Sequence, residues 1–193
     1  LITGPAGIGK TTLVRNGLQT TPTSLCGCGK GEQFGSALPY QALVEALSDA
    51  VSHWLPRADS ERQQQLRLSL QGFEDLLRDL IPEIAPLWPT PGKAAKDWVA
   101  QRDRLPFALR ALTNGLARQS NPLILVFDDF QWLDDESIQR LEYGLTDADV
   151  PGVLKIVCCR DEQPLCLERA FQLFGQFECS GLEIFHLQVE PQT

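Results

Sequence analysis

Residues 1–12 read Leu1-Ile2-Thr3-Gly4-Pro5-Ala6-Gly7-Ile8-Gly9-Lys10-Thr11-Thr12, and within them Gly4-x4-Gly9-Lys10-Thr11 satisfies the phosphate-loop pattern GxxxxGK[ST] without exception. Glycines let backbone N–H groups turn inward around phosphate oxygens, and the helix that follows presents its positive end to them. Leu1 to Thr3 read as the end of a β-strand. Leu13, Val14 and Leu18 have helical spacing over 12–19. This strand, loop and helix context separates the motif from a chance glycine turn before a lysine. The expected nucleotide-binding residues are Gly4, Pro5, Ala6, Gly7, Ile8, Gly9, Lys10, Thr11 and Thr12, with Lys10 on the β- and γ-phosphates and the Thr11 hydroxyl on Mg²⁺.

Moving outward, Leu123-Ile124-Leu125-Val126-Phe127 is a continuous apolar run ending in Asp128-Asp129. That is the pattern of a central parallel strand buried on both faces. Asp128 is the candidate second metal-site residue, holding Mg²⁺ through water, and Asp129 beside it is the candidate for orienting an attacking water. An aspartate holds that water less closely than a longer glutamate, so slow hydrolysis is expected. Val153 to Cys159 has the same strand character and ends at Arg160. In a parallel sheet that arginine falls near Asp128, where a guanidinium can report the γ-phosphate; pairing with Asp161 or Glu162 is the alternative.

Further strands are expected over Ser24 to Cys28 and Ile184 to Val189, with a glycine-rich loop from Gly29 to Leu38. Helical periodicity marks Leu38 to Leu55, then Glu61 to Ile81 with Ser60 as N-cap, then Asp103 to Arg118. The proline-rich stretch Pro82 to Pro91 reads as a rigid turn. Trp132 reads as a packing anchor, and Asp134-x-x-Ser137 as the cap of a helix over 136–145. Strands alternating with helices in this order predict a three-layer α/β domain with a parallel sheet, its ligand sites at the carboxyl ends of the strands.

The chain has 193 residues, one domain in length, and its 17 basic against 25 acidic residues give a net charge of −8. Eight of the acids lie between Asp128 and Asp149 with only Arg140 as a base, a local charge of 1 − 8 = −7, which leaves the remainder near neutral at −1. Nucleic acid is therefore not an expected partner. No apolar stretch approaches the roughly 20 residues of a membrane helix. Methionine is absent and Leu1 already lies inside an apolar run, which reads as a core cut at both ends, within the first strand and before any lid. The cysteines at 26, 28, 158 and 159 lie in strand-like runs and read as reduced, buried thiols. His53 and His186 stand in no metal-ligand set, which disfavours zinc and a histidine-based triad.

The phosphate loop, LILVFDDFQWLDDESIQRLEYGL at 123–145 and the strand-end arginine of IVCCRDE at 156–162 together resemble the signal-transduction ATPases with numerous domains, in the AAA-type ATPase branch. The pattern DDxxWxDxxS typical of that branch is present from Asp128 to Ser137, with Asp135 as an extra aspartate. The segment Gly29-Lys30-Gly31-Glu32-Gln33-Phe34 with Leu38-Pro39-Tyr40-Gln41-Ala42-Leu43 is similar to the one that follows the second strand in such ATPases attached to bacterial kinases, cyclases and transcription regulators. The resemblance implies a P-loop NTPase core with strand order 5-1-4-3-2 and a helical insertion over 38–121. It also implies ATP, ADP and Mg²⁺ as ligands, catalytic roles for Asp129 and Arg160, and a cytoplasmic setting. Effector and sensor domains of the parent chain are the implied partners, a homo-oligomer is possible, and ADP and ATP states act as a switch.

Three other readings stay open. A DNA-associated AAA-type ATPase related to origin-recognition proteins predicts a basic face, which the scattered positive charge does not supply. A non-hydrolysing nucleotide-bound scaffold predicts that Asp129 supports no turnover. A small-molecule P-loop kinase needs an acceptor pocket and an arginine-bearing lid, neither recognisable between Leu38 and Arg118.

Overall fold

The apolar run after Pro122 forms the middle of a parallel sheet. Its strands are β1 (Ile2–Gly4), β2 (Leu25–Lys30), β3 (Leu123–Asp128), β4 (Val153–Arg160) and β5 (Leu187–Gln188), in the order β2-β3-β4-β1-β5, every pair parallel. Read from the other edge this is 5-1-4-3-2, the expected order. The computed structural model describes residues 1–19, 24–32, 40–88, 103–117, 122–133, 138, 152–162, 168 and 186–190.

Alternation along β3 separates two cores, as it must when successive side chains point to opposite faces. Leu123, Leu125 and Phe127 join the large core, to which the helices between β2 and β3 contribute. Among the described residues these are α2 (Gln41–Trp54), α3 (Ser60–Ser69), α4 (Glu74–Leu80) and α5 (Leu105–Leu116). Ile124 and Val126 face the other way and pack with Val14 and Leu18 of α1 (Lys10–Gln19) and with Cys158. The result is helix, sheet, helix, with the carboxyl ends of β1, β3 and β4 opening on one rim.

α2 lies against β2 more closely than side chains normally allow. A Cβ on Gly27 would sit 1.9 Å from the Ala46 carbonyl oxygen, and one on Gly29 1.8 Å from that of Ala42. Ala42, Ala46 and Ala50 supply the matching small face of α2, all buried. Because β2 is the sheet edge, its outward N–H groups need partners. Asp49 Oδ2 accepts from Cys28 N at 2.9 Å and Glu45 Oε2 from Lys30 N at 3.2 Å, so α2 closes the edge as well as packing on it. Gly27→Val should cost about 3 kcal/mol or more, the scale of a backbone clash that cannot relax, read by chemical denaturation. A cost below about 1 kcal/mol would show that α2 is not held this close.

The structure corrects several boundaries. The single helix expected over Glu61 to Ile81 is two, α3 and α4, because Gly72 takes a left-handed φ of 87° between them. The N-cap of α3 is Asp59 and not Ser60: its carboxylate accepts from Arg62 N at 2.8 Å. α1 begins at Lys10, α2 begins at Gln41 after Tyr40 with φ 65°, and β2 runs on to Lys30 where a loop was expected from Gly29. Cys28 is exposed on the edge strand, whereas Cys158 and Cys159 are buried as expected. The expected cap at Asp134 and Ser137 and the remainder of its helix, the loop beyond Glu32, residues 89–102, Cys166 and Cys179 lie outside the described residues.

A charged residue stands in mid-strand on β4, partly buried. Lys155, paired in register with Leu125, has its ammonium pushed down from 10.5 to about 7 by burial. A lysine whose folded-state value is depressed binds fewer protons folded than unfolded between those values, so its contribution makes stability rise as pH increases from about 7 towards 10. Lys155→Met should therefore shrink the gain in Tm between pH 7 and pH 9. An unchanged pH slope would contradict the assignment.

Candidate nucleotide site

The loop between β1 and α1 is built by two left-handed glycines, Gly7 with φ 74° and Gly9 with φ 98°. A side chain is strained at such angles; Gly9 is a glycine that the pattern fixes, and Gly7 supplies the same freedom at a position the pattern leaves open. Ile8 N donates to Pro5 O at 3.4 Å, curling the loop, and Leu13 N donates to Gly9 O at 2.8 Å, opening the helix. Lys10 is almost wholly buried and its ammonium donates to two carbonyls of the loop itself, Gly4 O and Pro5 O, each at 2.8 Å. Ala6 N donates to a carboxylate oxygen of Glu162 at 3.5 Å, so one loop amide already faces an anionic oxygen. Thr12 is exposed on the first turn of α1.

Residues 117 positions apart meet directly behind the loop: the Thr11 hydroxyl donates to Asp128 Oδ2 at 2.7 Å. The other oxygen, Asp128 Oδ1, accepts from the Asp129 N–H at 3.0 Å. That bond accompanies a left-handed backbone at Asp129, φ 51° and ψ 47°, a conformation costly for a residue with a Cβ and found where surrounding contacts fix it. Trp132 N donates to Asp129 O at 2.9 Å, starting the 3-10 turn Phe130–Trp132, and Trp132 itself is half-buried.

Asp129 is the hub of the rim. Its Oδ1 accepts from Gln131 Nε2 at 2.9 Å and lies 3.7 Å from Arg160 Nη2, and its Oδ2 lies 3.2 Å from Lys30 Nζ. Arg160 pairs in register with Gly4 across β4 and β1, which places it between the phosphate loop and Asp129. The alternative pairing of Arg160 with Asp161 or Glu162 is not among the ion pairs of the described residues. Lys30 was not foreseen. It ends β2 in register with Asp128, and that register is the signal: residues at the carboxyl ends of adjacent parallel strands share a rim. The acceptor groups of Asp129 are thus taken up by two cations and an amide.

The donor set fits a magnesium nucleotide. Mg²⁺ selects hard oxygen ligands, and the Thr11 hydroxyl and Asp128 carboxylate are such a pair, already converged. The glycine-shaped amides and the Lys10 ammonium suit phosphate oxygens, and Glu162 on Ala6 N is an internal stand-in for one. The site lies at the carboxyl ends of the strands, where ligands bind in open parallel α/β sheets.

Fold and site together define a P-loop NTPase-like α/β core. Comparison with known families narrows this: the AAA ATPase domain model matches residues 1–157, and the chain belongs to that family. A hybrid signal transduction histidine kinase G of Dictyostelium discoideum is 28% identical over 147 residues, which is 74% of this chain and 4% of that protein. The chain therefore spans about a twenty-fifth of the length of that relative. No solved structure matches it significantly. Among the described residues no helix is long and apolar enough to cross a membrane.

Proposed function

We propose that this domain is a regulatory ATPase of a multidomain signalling protein, of the kind found in signal-transduction ATPases with numerous domains, whose nucleotide state sets its conformation. The observation that carries the proposal is the convergence of Lys30 and Arg160 on Asp129, next to the Thr11 and Asp128 pair. The similarity to a segment of a signalling kinase supports the regulatory setting.

In this reading the backbone N–H groups from Gly4 to Thr12, Pro5 excepted, bind the phosphates, and Lys10 exchanges its bonds to the Gly4 and Pro5 carbonyls for β- and γ-phosphate oxygens. Thr11 and Asp128 would hold Mg²⁺, which when bound neutralises charge on the transferring phosphoryl group. Asp129 orients a water for attack on the γ-phosphorus: a new P–O bond forms, the β,γ-bridging P–O bond breaks, and ADP and phosphate result. Before it can do so Asp129 has to exchange one of its present partners, Lys30, Gln131 or Arg160, for that water. Its short side chain and full complement of partners point to slow turnover.

Arg160 supplies the switch. With ATP bound it contacts the γ-phosphate, and with ADP it returns to Asp129, so the two nucleotides favour different arrangements of β4 and its neighbours. A ligand shifts a conformational equilibrium only through such differential contacts. Arg160→Ala should compress the ratio of ATP to ADP affinity by about tenfold, the scale of one charge-assisted contact. The ratio is measured by titration calorimetry, and an unaltered ratio would remove Arg160 from sensing. A non-hydrolysing scaffold is the limiting form of the same geometry, favoured by the crowding of Asp129, and phosphate release from the wild-type chain distinguishes the two.

A further inference from the structure

Gln131 stands beside the carboxylate on which hydrolysis depends, and only one end of its amide is engaged. Its Nε2 donates to Asp129 Oδ1 at 2.9 Å, while its Oε1 is buried and meets no donor among the described residues. Which end faces Asp129 follows from chemistry: a carboxylate only accepts, so the NH₂ group points at it and the oxygen points away. A buried acceptor without a donor is costly, and nearly all such atoms in folded proteins are paired. The side chain is also mounted on a fixed base. Gln131 lies in the 3-10 turn Phe130–Trp132, where Trp132 N donates to Asp129 O at 2.9 Å. The chain just past β2 clamps that turn, since a Cβ on Gly31 would come 2.5 Å from Asp129 O and 3.0 Å from the carbonyl carbon of Trp132.

We propose that Gln131 is a catalytic residue that holds the attacking water jointly with Asp129. The proposal rests on the reading in which Asp129 orients that water. Asp129 Oδ1 has two neighbours, Gln131 Nε2 in hydrogen-bond contact and Arg160 Nη2 at 3.7 Å. The first bond is local to one turn, whereas the second joins two strands and is the one given up when Arg160 moves to the γ-phosphate. The water takes the place of Arg160 on Oδ1. Bond lengths within the amide put Gln131 Oε1 no more than about 5 Å from that same Oδ1, a gap that one water spans with two hydrogen bonds of about 2.8 Å.

A carboxylate alone accepts one O–H of the water and leaves it able to rotate about that bond. With the second O–H donated to Gln131 Oε1 both are fixed, and a lone pair is left to face the γ-phosphorus. The water oxygen bonds to phosphorus as the β,γ-bridging P–O bond breaks. One of its protons passes to Asp129 and on to solvent, the other stays with the phosphate, and ADP leaves. Gln131 is unchanged at the end. Phosphoryl transfer asks a protein chiefly for positioning, so the second acceptor acts on rate and not on nucleotide affinity.

The test is Gln131→Met in the full chain, which keeps the length of the side chain and removes both ends of the amide. With Mg-ATP, kcat should fall by about tenfold or more and KM should stay within about twofold. The Tm should be no lower than that of the wild type, because the orphaned acceptor is removed as well. A second measurement needs no turnover. ADP with aluminium fluoride, which mimics the phosphoryl group in transfer with the water in line, should dissociate about tenfold faster from the variant, and ADP alone at the same rate. Gln131→Asn, whose amide is one methylene short, should show the same losses if the methionine variant does not fold. A wild-type chain that releases no phosphate overturns the hydrolytic reading and this proposal with it. Equal phosphate release from wild type and variant, or a raised KM with kcat unchanged, overturns this proposal and leaves that reading standing. A fall in kcat that comes with a lower Tm makes Gln131 a structural residue and overturns it too.

Discussion

Lys10→Ala is expected to weaken Mg-ATP binding by at least about 100-fold, because it removes charge-assisted contacts to phosphate worth about 1.5–3 kcal/mol each. The structure adds a complication that the measurement has to separate. Without nucleotide, Lys10 donates to the Gly4 and Pro5 carbonyls, so the alanine variant also loses two hydrogen bonds within the loop and should melt somewhat earlier. Ligand stabilisation isolates the effect on binding. At Mg-ATP equal to about 100 times the wild-type Kd, linkage stabilises the wild-type fold by about 2.7 kcal/mol, whereas a 100-fold weaker variant gains only about 0.4 kcal/mol. The Tm increment on adding nucleotide should therefore nearly vanish in the variant, whatever its starting Tm. Equal increments would sink the phosphate-loop assignment.

The second large effect is on turnover. Asp129→Asn keeps the size of the side chain and its bond from Gln131, but removes the negative charge that Lys30 and Arg160 face and the capacity to take a proton. Binding of Mg-ATP should stay within about threefold, since Asp129 is not among the groups that cradle phosphate. Steady-state phosphate release should fall by about 100-fold, the usual weight of a positioned acid–base group. Asparagine is chosen over alanine because Asp129 has a left-handed backbone, which asparagine tolerates better than most residues. Equal rates in the two proteins would move the chemistry to another residue or leave the domain a nucleotide-bound scaffold.

The sheet and the phosphate loop were legible because their signals are local and chemical. An apolar run buried on both faces, Leu123 to Phe127, ends in Asp128, and GxxxxGK[ST] fixes Gly9, which takes a left-handed angle, with Gly7 a second such glycine inside the loop. Lys30 was not legible, because its place depends on how far β2 runs. Cys-Gly-Cys-Gly-Lys has weak strand propensity, and what holds it extended is the close approach of α2, whose Asp49 and Glu45 bond its edge. The break between α3 and α4 was hidden by apolar residues that continue on both sides of Gly72, and the choice between Asp59 and Ser60 as cap rests on one hydrogen bond between two adjacent, equally suitable residues. The exposure of Cys28 follows from its position on the sheet edge, which a strand's own sequence does not disclose. The place of Arg160 beside the end of β3 was legible from the strand order, the bond from Gln131 to Asp129 is local to the turn after β3, and the approach of Lys30 to Asp129 is tertiary.

Thr11, Asp128 and the phosphate loop are proposed to form a magnesium nucleotide site, on which every nucleotide-dependent step depends. Titration calorimetry of the chain with ATP, in the presence of Mg²⁺ and again with the metal chelated, tests it most directly. The predicted result is one bound nucleotide per chain, with affinity at least about tenfold weaker when Mg²⁺ is removed. Absence of binding, or binding of the same strength with and without the metal, would contradict it.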